Sequence, residues 1–558
     1  MNAGRRRRDR SARPASRPAA TGGRRLSTAA ELVVAALRAE GVRHAFGLVG
    51  THIVEIYEAL RAAPEIAHVT ARHEGNGALM ADACSRLSGR PSVCFSTAGP
   101  GILNALAGIG QAYAANSPTV HICGSLPLGA PRRALHAVDD ERHTVKATQP
   151  LTRMSARPAS LAELARTLPQ LFAAALGPEP GPVHLEIPWD LMRAPAAAAP
   201  AYARRPSRAG GGAGTLRALA AALGAAERPL FCIDRLCVHH GLAAEVVALA
   251  EATGAALAVS YDAFGAVPTA HPLNAGVVSD FFFGTAALEA AREADLVVGF
   301  GVLAGSEVEA LLAGQRRAPP DLVDARSLAA LRRDGGLGRL AARLRRAPPR
   351  AGWFRRRCGE EWLAAARALA GPRRRGAMHF GRAMLRLRER IDRDTTVILD
   401  AGSHEIWARS LLPSFGPASF IGSGNWGGMG YGLPGLIGAR LALPERRAIA
   451  VTGDGCLLMT LSDLCTLAGI AGPAILIVMN NAMYGEIKRV QLERFGAATQ
   501  IANPPLDFAA IARDCGLAGL RVAHEGALDA ALDRAFAADR PVLVDIVCGD
   551  DVAFPSLP

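Results

Sequence analysis

The sequence predicts an α/β chain of three successive doubly wound parallel-sheet domains. Three observations predict it. The chain has 558 residues, room for about three domains at roughly 150 residues each. Short apolar runs alternate with longer stretches of helical periodicity, the pattern of parallel strands covered by helices on both faces. Two stretches of linker composition divide the chain, one Pro- and Ala-rich from about Ala194 to Gly214, the other rich in Arg, Pro and Gly from about Leu340 to Gly376.

The expected bodies are therefore residues 26–193, 215–345 and 377–550, preceded by a tail of residues 1–25. The strand candidates are Ser92–Ser96, Thr119–Cys123, Leu230–Ile233, Leu296–Phe300, Thr396–Leu399, Ala448–Thr452 and Ala474–Met479. Each is a buried-type run rich in Val, Ile or Leu. The second linker, which carries Arg355–Arg357 and Arg373–Arg375, is expected to include a short helix around Glu360 to Ala370. No short tandem repeat is present.

Composition narrows the function classes. Half of the residues are hydrophobic and a fifth are charged, which suits large cores in a globular protein. No apolar run reaches the roughly 18 residues of a membrane helix, so no membrane association is expected. The net charge is +13, but nine Arg and one Asp fall within the first 25 residues. That tail cannot bury a core and is expected to be disordered. It has no apolar segment of secretory type. The modest charge of the remaining body argues against nucleic acid as a partner. The ten Cys are scattered and contain no C-x-x-C pair, which points to a reducing, cytoplasmic compartment rather than a disulfide framework.

The strongest local signal lies in the third body. The strand Ala448–Thr452 runs into Gly453-Asp454-Gly455, a helical stretch follows from about Leu457 to Gly469, and the next strand ends in Asn480-Asn481. A right-handed β-α-β crossover brings both strand ends to one sheet edge. Asp454 and Asn481, 27 positions apart, would then offer two hard oxygens to one small volume. Magnesium prefers such oxygens and completes its octahedron with water and phosphate. Gly453 and Gly455 permit close approach of a diphosphate, and the following helix start offers free N–H groups. Either motif alone reads as a turn; their joint placement at adjacent strand ends points to a cation and diphosphate site.

This ordered pair resembles the cofactor motif of the thiamine diphosphate-dependent superfamily that includes acetolactate synthases and 2-oxo acid decarboxylases. Further segments from Ser27 to Asp550 resemble the same family. In the first body they are Val42-Arg-His-Ala-Phe-Gly-Leu-Val-Gly50, Thr70-Ala-Arg-His-Glu74, Ser96-Thr-Ala-Gly-Pro-Gly-Ile-Leu-Asn104 and Gly181-Pro-Val-His-Leu-Glu-Ile-Pro188. In the third they are Asp400-Ala-Gly-Ser-His404 and Gly427-Gly-Met-Gly-Tyr-Gly-Leu-Pro434.

The resemblance implies a thiamine diphosphate-binding fold and a magnesium-dependent enzyme acting on a 2-oxo acid through the cofactor's C2 ylide. Glu74 would share a proton with the cofactor's pyrimidine ring, a role suited to a carboxyl in an apolar setting. Met429 would wedge the cofactor into a bent shape and Gly427 would offer its carbonyl to the pyrimidine amino group. Ser403, His404, Gly453 and Gly455 would line the diphosphate, and the Met483 carbonyl would join Asp454 and Asn481 on the metal. Glu74 and the metal site of one centre would come from different subunits, so a homodimer or homotetramer is expected.

Departures from the family pattern shape the rest of the reading. Gly75 stands where Gln usually follows the glutamate. Glu486 and Val490 stand where acetolactate synthases carry Met and Trp. Val277–Gly284 and Gly299–Ala304 lack the stretches associated with flavin. These departures argue against bound FAD and for a 2-oxo acid decarboxylase or carboligase. The segment Tyr484–Lys488, with Thr51, His52 and His136, resembles a decarboxylase subgroup. One type in that subgroup takes a guanidino-bearing 2-oxo acid, so Glu486 could face a cationic substrate tail, a buried carboxylate needing a partner. Thr51, His52 and His136 are candidates to handle protons near the substrate. Two alternatives stand beside this reading: an acetolactate synthase large-subunit-type enzyme, and a non-catalytic, cofactor-binding regulatory paralogue.

Overall fold

The computed structural model describes residues 28–131, 133–196, 202–205, 212–278, 286–313, 323–345, 353–354, 360, 363–364, 367–368 and 378–549. The Arg-rich tail, the Arg355–Arg357 and Arg373–Arg375 clusters, most of the expected helix around Glu360 to Ala370, and Ser279–Gly284 lie outside the described residues.

Three parallel sheets form in succession. The first comprises β1 (His44–Gly47), β2 (Ala67–Thr70), β3 (Ser92–Ser96), β4 (Thr119–Ser125), β5 (Met154–Ala156) and β6 (Val183–Pro188), in the order β2-β1-β3-β4-β6-β5. The second comprises β7 (Pro229–Ile233), β8 (Ala256–Val259), β9 (Asn274–Val277) and β10 (Leu296–Phe300), in the order β10-β7-β8-β9. The third comprises β11 (Thr395–Leu399), β12 (Phe420–Gly422), β13 (Arg447–Gly453), β14 (Ala474–Asn480), β15 (Ala518–Val522) and β16 (Val542–Val547). Its order, β12-β11-β13-β14-β16-β15, repeats that of the first sheet. Helices cover both faces, so the central strands are buried along their whole length, as in β3, β4 and β14. That is why they read as continuous apolar runs rather than alternating ones.

The linker bounds shift slightly. The helix Gly336–Leu344 runs through the expected start of the second linker, because Leu337, Leu340 and Ala341 pack into the middle core. Likewise the helix Gly212–Ala225 begins before the first expected linker ends.

The first and third bodies share one core. Phe46, Ala78 and Ile109 cluster with Leu433, Ile437 and Leu476. The contact is made by the helix Glu74–Ser88 lying on the helix Gly432–Ala442. A Cβ on Gly438 would stand 2.4 Å from the Met80 carbonyl oxygen, so only glycine permits this approach. Tyr431 reinforces it, its hydroxyl donating to buried Asp82 at 2.8 Å. The middle body is tied to the third by Tyr261, which donates to Glu405 at 2.9 Å, and by Asp262, which accepts from the Asn425 amide at 2.9 Å.

Three imidazoles are held neutral inside these bodies. Burial pushes His121, His184 and His239 down to about 3; in the unfolded chain they titrate near the ordinary 6.5. Below that value the unfolded state takes up protons that the folded state refuses, so stability must fall with falling pH. The melting temperature is expected to hold from pH 8 to about 7 and to drop steadily toward pH 5. A flat profile over that window would remove the argument for neutral buried imidazoles, and His121→Gln should flatten it partially.

Candidate functional site

At the carboxyl edge of the third sheet, β13 and β14 run side by side, with Gly453 opposite Met479. Beyond their ends the backbone turns into the helix Asp454–Thr460 and the loop that starts at Asn481. Asp454, at 1% exposure, is the first residue of that helix. One of its carboxylate oxygens accepts from Asn503 Nδ2 at 2.9 Å. Burial lifts its pKa, against the opposing hydrogen bond from Asn503.

The loop after Asn481 is fixed from the other side. Ala482 adopts a left-handed φ of 53°. Asn503 N donates to the Ala482 carbonyl at 2.8 Å and Tyr484 N to the Ile501 carbonyl at 2.8 Å. The loop therefore delivers a side chain and a carbonyl to a set place. The polar end of the Asn481 amide lies 3.1 Å from both the Met483 carbonyl oxygen and the second Asp454 oxygen. With its nitrogen turned inward the amide bridges the two oxygens. With its oxygen turned inward, that oxygen stands 3.1 Å from each of the other two. Adjacent oxygens on an octahedron with ligand distances of about 2.1 Å lie roughly 3 Å apart. The three expected ligands thus lie together in one cradle whose oxygen donors suit a small, hard divalent cation.

The same cavity, about 220 Å³, is lined by Ser403, His404, Gly427, Met429, Gly453, Gly455 and Glu486 as well as the cradle residues. All the expected cofactor residues of the third body are thereby brought together. Ser403 Oγ and His404 Nε2 are buried without a hydrogen-bond partner, an arrangement that native interiors rarely tolerate unless something binds. Burial pushes His404 down to about 4, so it presents a neutral ring. The helices Ser403–Leu411 and Asp454–Thr460 both start at this wall, which suits an anionic group such as a diphosphate.

Asp400 organises the loop that carries Gly427 and Met429. Fully buried at the end of β11, its carboxylate accepts from the backbone amides of Gly430, Tyr431 and Gly432 at 2.8 to 3.0 Å and from the Thr452 hydroxyl at 2.8 Å. A Cβ on Gly432 would come within 2.9 Å of that carboxylate. The sequence singled out neither Asp400 as an anchor nor Asn503 as a partner of Asp454. A buried-type Asp directly after an apolar strand was a usable signal for the first; nothing local marked the second.

The first-body candidates form a separate group. Glu74 opens the helix Glu74–Ser88 and accepts from Asn104 Nδ2 at 3.1 Å. Thr51 and His52 lie in the turn after β1, and His52 meets His136 edge to face at 5.3 Å. Burial lowers the His52 pKa, helped by His136. His136 holds a left-handed φ of 69°, an uncommon conformation for a non-glycine residue. It lines another cavity, of about 420 Å³, with Arg157 and Glu186 at its base. None of these four residues lines the cavity around Asp454 within one chain.

Glu486 lines the cavity and is also paired within its own helix. Arg489, one helical turn along, embraces its carboxylate through Nε, at 3.3 Å, and Nη2. The carboxylate already has a cationic partner, so burial alone gives no reason for a second. The single helix expected from Leu457 to Gly469 is broken into Asp454–Thr460, a 3-10 turn Leu461–Asp463, and Leu464–Ala468, because Asp463 turns inward to bond the first body.

Comparison with known proteins bears on this geometry. Family models for thiamine pyrophosphate enzymes match the chain three times: the N-terminal binding domain at residues 27–150, the central domain at 216–316 and the C-terminal binding domain at 400–546. A probable 2-ketoarginine decarboxylase of Pseudomonas aeruginosa is 32% identical over 88% of this chain and 89% of its own length. An acetolactate synthase large subunit of Parasynechococcus marenigrum is 30% identical over 94% of this chain and 88% of its own. A thiamine diphosphate-dependent 4-hydroxybenzoylformate decarboxylase of Rhodococcus jostii shares the fold, with a TM-score of 0.78 at 22% identity, over 94% of this chain and all of its own.

Proposed function

The chain belongs to the thiamine pyrophosphate enzyme family, and from that membership we propose that it is a magnesium-dependent 2-oxo acid decarboxylase or carboligase. It is a thiamine diphosphate-dependent enzyme of the lyase and transferase type. The bound cofactor supplies a nucleophilic carbon and an electron sink next to the substrate carbonyl. The observation that carries the reading is the cradle of Asp454, Asn481 and Met483 oxygens beside two buried polar atoms without partners.

Each residue then has a physical task. Asp454, Asn481 and the Met483 carbonyl would hold magnesium, which would supply positive charge beside a diphosphate. Ser403 and His404, with the two helix starts, would line the diphosphate. Met429 and Gly427, fixed through Asp400, shape the middle of the cofactor site. Glu74 would hold a proton at its carboxyl for the cofactor's pyrimidine ring. Because Glu74, Thr51, His52 and His136 stand apart from the cavity in one chain, a second copy supplies them. Large apolar side chains are exposed in both bodies, among them Val49, Leu103, Leu135 and Val138 in the first, and Met459 and the cavity-lining Ile487 in the third. Apolar exposure of this kind marks a contact surface, and supports a homodimer or a tetramer built from it.

The absence from Val277–Gly284 and Gly299–Ala304 of the flavin-associated stretches supports the decarboxylase over the acetolactate synthase alternative, and the intact cradle speaks against a purely regulatory paralogue. We place the pyrimidine-side domain at 26–193, the central domain at 215–345 and the diphosphate domain at 377–550.

The test is a screen of aliphatic, aromatic and cationic 2-oxo acids for carbon dioxide release by the purified protein with thiamine diphosphate and magnesium. Turnover that needs both, from a colourless protein, is expected. Acetolactate formation from pyruvate by a yellow protein would favour the synthase instead, and no turnover of any member would favour the regulatory paralogue.

A further inference from the structure

Asp463 lies in the third body, nine positions after Asp454, yet its side chain serves the first body. It is fully buried. One carboxylate oxygen accepts from the Arg72 backbone amide at 2.9 Å. The other accepts from Asn76 Nδ2. Thr466, one turn on, places its hydroxyl 2.9 Å from Asp463 Oδ1 and 2.9 Å from the Thr70 carbonyl oxygen. One carboxylate, 391 residues along the chain from Arg72, thus grips the backbone two residues before Glu74 and the side chain two residues after it. Between those grips the chain turns from β2 into the helix Glu74–Ser88, whose His73 cap accepts from Gly75 N at 3.1 Å.

We infer that Asp463 is a positioning residue for Glu74, fixing the turn from which the Glu74 carboxyl projects. The inference rests on the proposed role of Glu74. A carboxylate buried between two domains costs desolvation unless its acceptor sites are filled, and here the groups filling them bracket the proton-sharing residue. An apolar residue at position 463 could pack the interface but could not set the direction of this turn. Asp463 ends the 3-10 turn that directly follows the helix Asp454–Thr460, so the segment that would cradle the metal of one centre also orients this copy's glutamate.

The experiment compares wild type with Asp463→Asn in the full-length holoenzyme. The first readout is deuterium exchange at the thiazolium carbon of bound thiamine diphosphate without substrate; the second is kcat against the apparent affinity for the cofactor. A small misplacement of a reacting group lowers rates by about tenfold to hundredfold. Carbon exchange and kcat are expected to fall together by an amount in that range, while cofactor affinity stays within about twofold, since the cradle is untouched. Amide exchange over residues 70–77 should rise.

Should Asp463→Asn fail to fold, Asn76→Ala and Thr466→Val each loosen one grip, and each is expected to slow exchange by about two- to tenfold. Unchanged exchange and kcat in folded variants would overturn the inference, as would a loss confined to cofactor affinity or melting temperature. A parallel Glu74→Gln variant separates the two layers. If that variant turns over normally, the proposed function fails; if it is inactive while the Asp463 variants are normal, only the positioning role fails.

Discussion

Glu74→Gln is expected to lower kcat by about 10²- to 10⁴-fold at saturating cofactor, the span associated with losing one general acid–base group. The amide is isosteric but cannot pass a proton. The fold should tolerate the change. Glu74 is half-exposed at a helix start, and loss of its favourable interaction with the helix dipole costs roughly 0.3–1 kcal/mol. Gln can still accept from Asn104 Nδ2, now 3.1 Å from the carboxylate, so orientation survives while chemistry does not. Steady-state carbon dioxide release and a cofactor titration by tryptophan fluorescence check the two halves of this statement. Turnover near wild type with saturating cofactor would remove the mechanism.

That glutamate was legible in the sequence through its resemblance, and the metal cradle through physics. Asp454 and Asn481 each end a strand that is buried on both faces, so an unbroken apolar run marks where the chain leaves the sheet and where a polar side chain can face a ligand. Several buried strands were legible for the same reason: Leu296–Phe300 and Ser92–Ser96 were read with their observed bounds, though the comparably buried Ala256–Val259 and Val542–Val547 were not singled out. Ala67–Thr70, Met154–Ala156 and Ala518–Val522 went unread because they are edge strands, two at the flanks of the first sheet and one at the flank of the third. Their side chains are partly exposed, so no apolar run announces them. The residues that hold the site in place were hidden more deeply. Asn503 reaches Asp454 across 49 positions, and Asp463 reaches Arg72 across 391; such contacts exist only once the bodies have packed. Glu486 shows the opposite limit. A carboxylate near a ligand motif looked in need of a cation, and the partner was already present three positions away on the same helix face, at Arg489.

Asp454→Asn should separate stability from function with opposite signs. In the apo protein burial raises the Asp454 pKa even against the hydrogen bonds that favour its charged form. This is stored frustration of the kind functional sites carry. Replacing that carboxylate by an amide relieves it, so the apo variant is expected to melt at or above the wild-type temperature. The response to ligands is expected to reverse. Wild type should gain about 2.7 kcal/mol when magnesium and cofactor stand at a hundred times their dissociation constant, and the variant should gain almost none. Since the ligand must be deprotonated to bind a cation, wild-type affinity should also weaken as pH falls through the raised Asp454 pKa, with the variant insensitive. Co-expression of Asp454→Asn with Glu74→Gln tests the assembly itself. If one centre takes its cradle from one copy and its glutamate from another, random pairing leaves about a quarter of the centres with both native residues, and activity should recover to that level. Two inactive variants that stay inactive together in a proven mixed dimer would place both residues in the same copy's centre, and the separation of the two groups within one chain would then have no functional explanation.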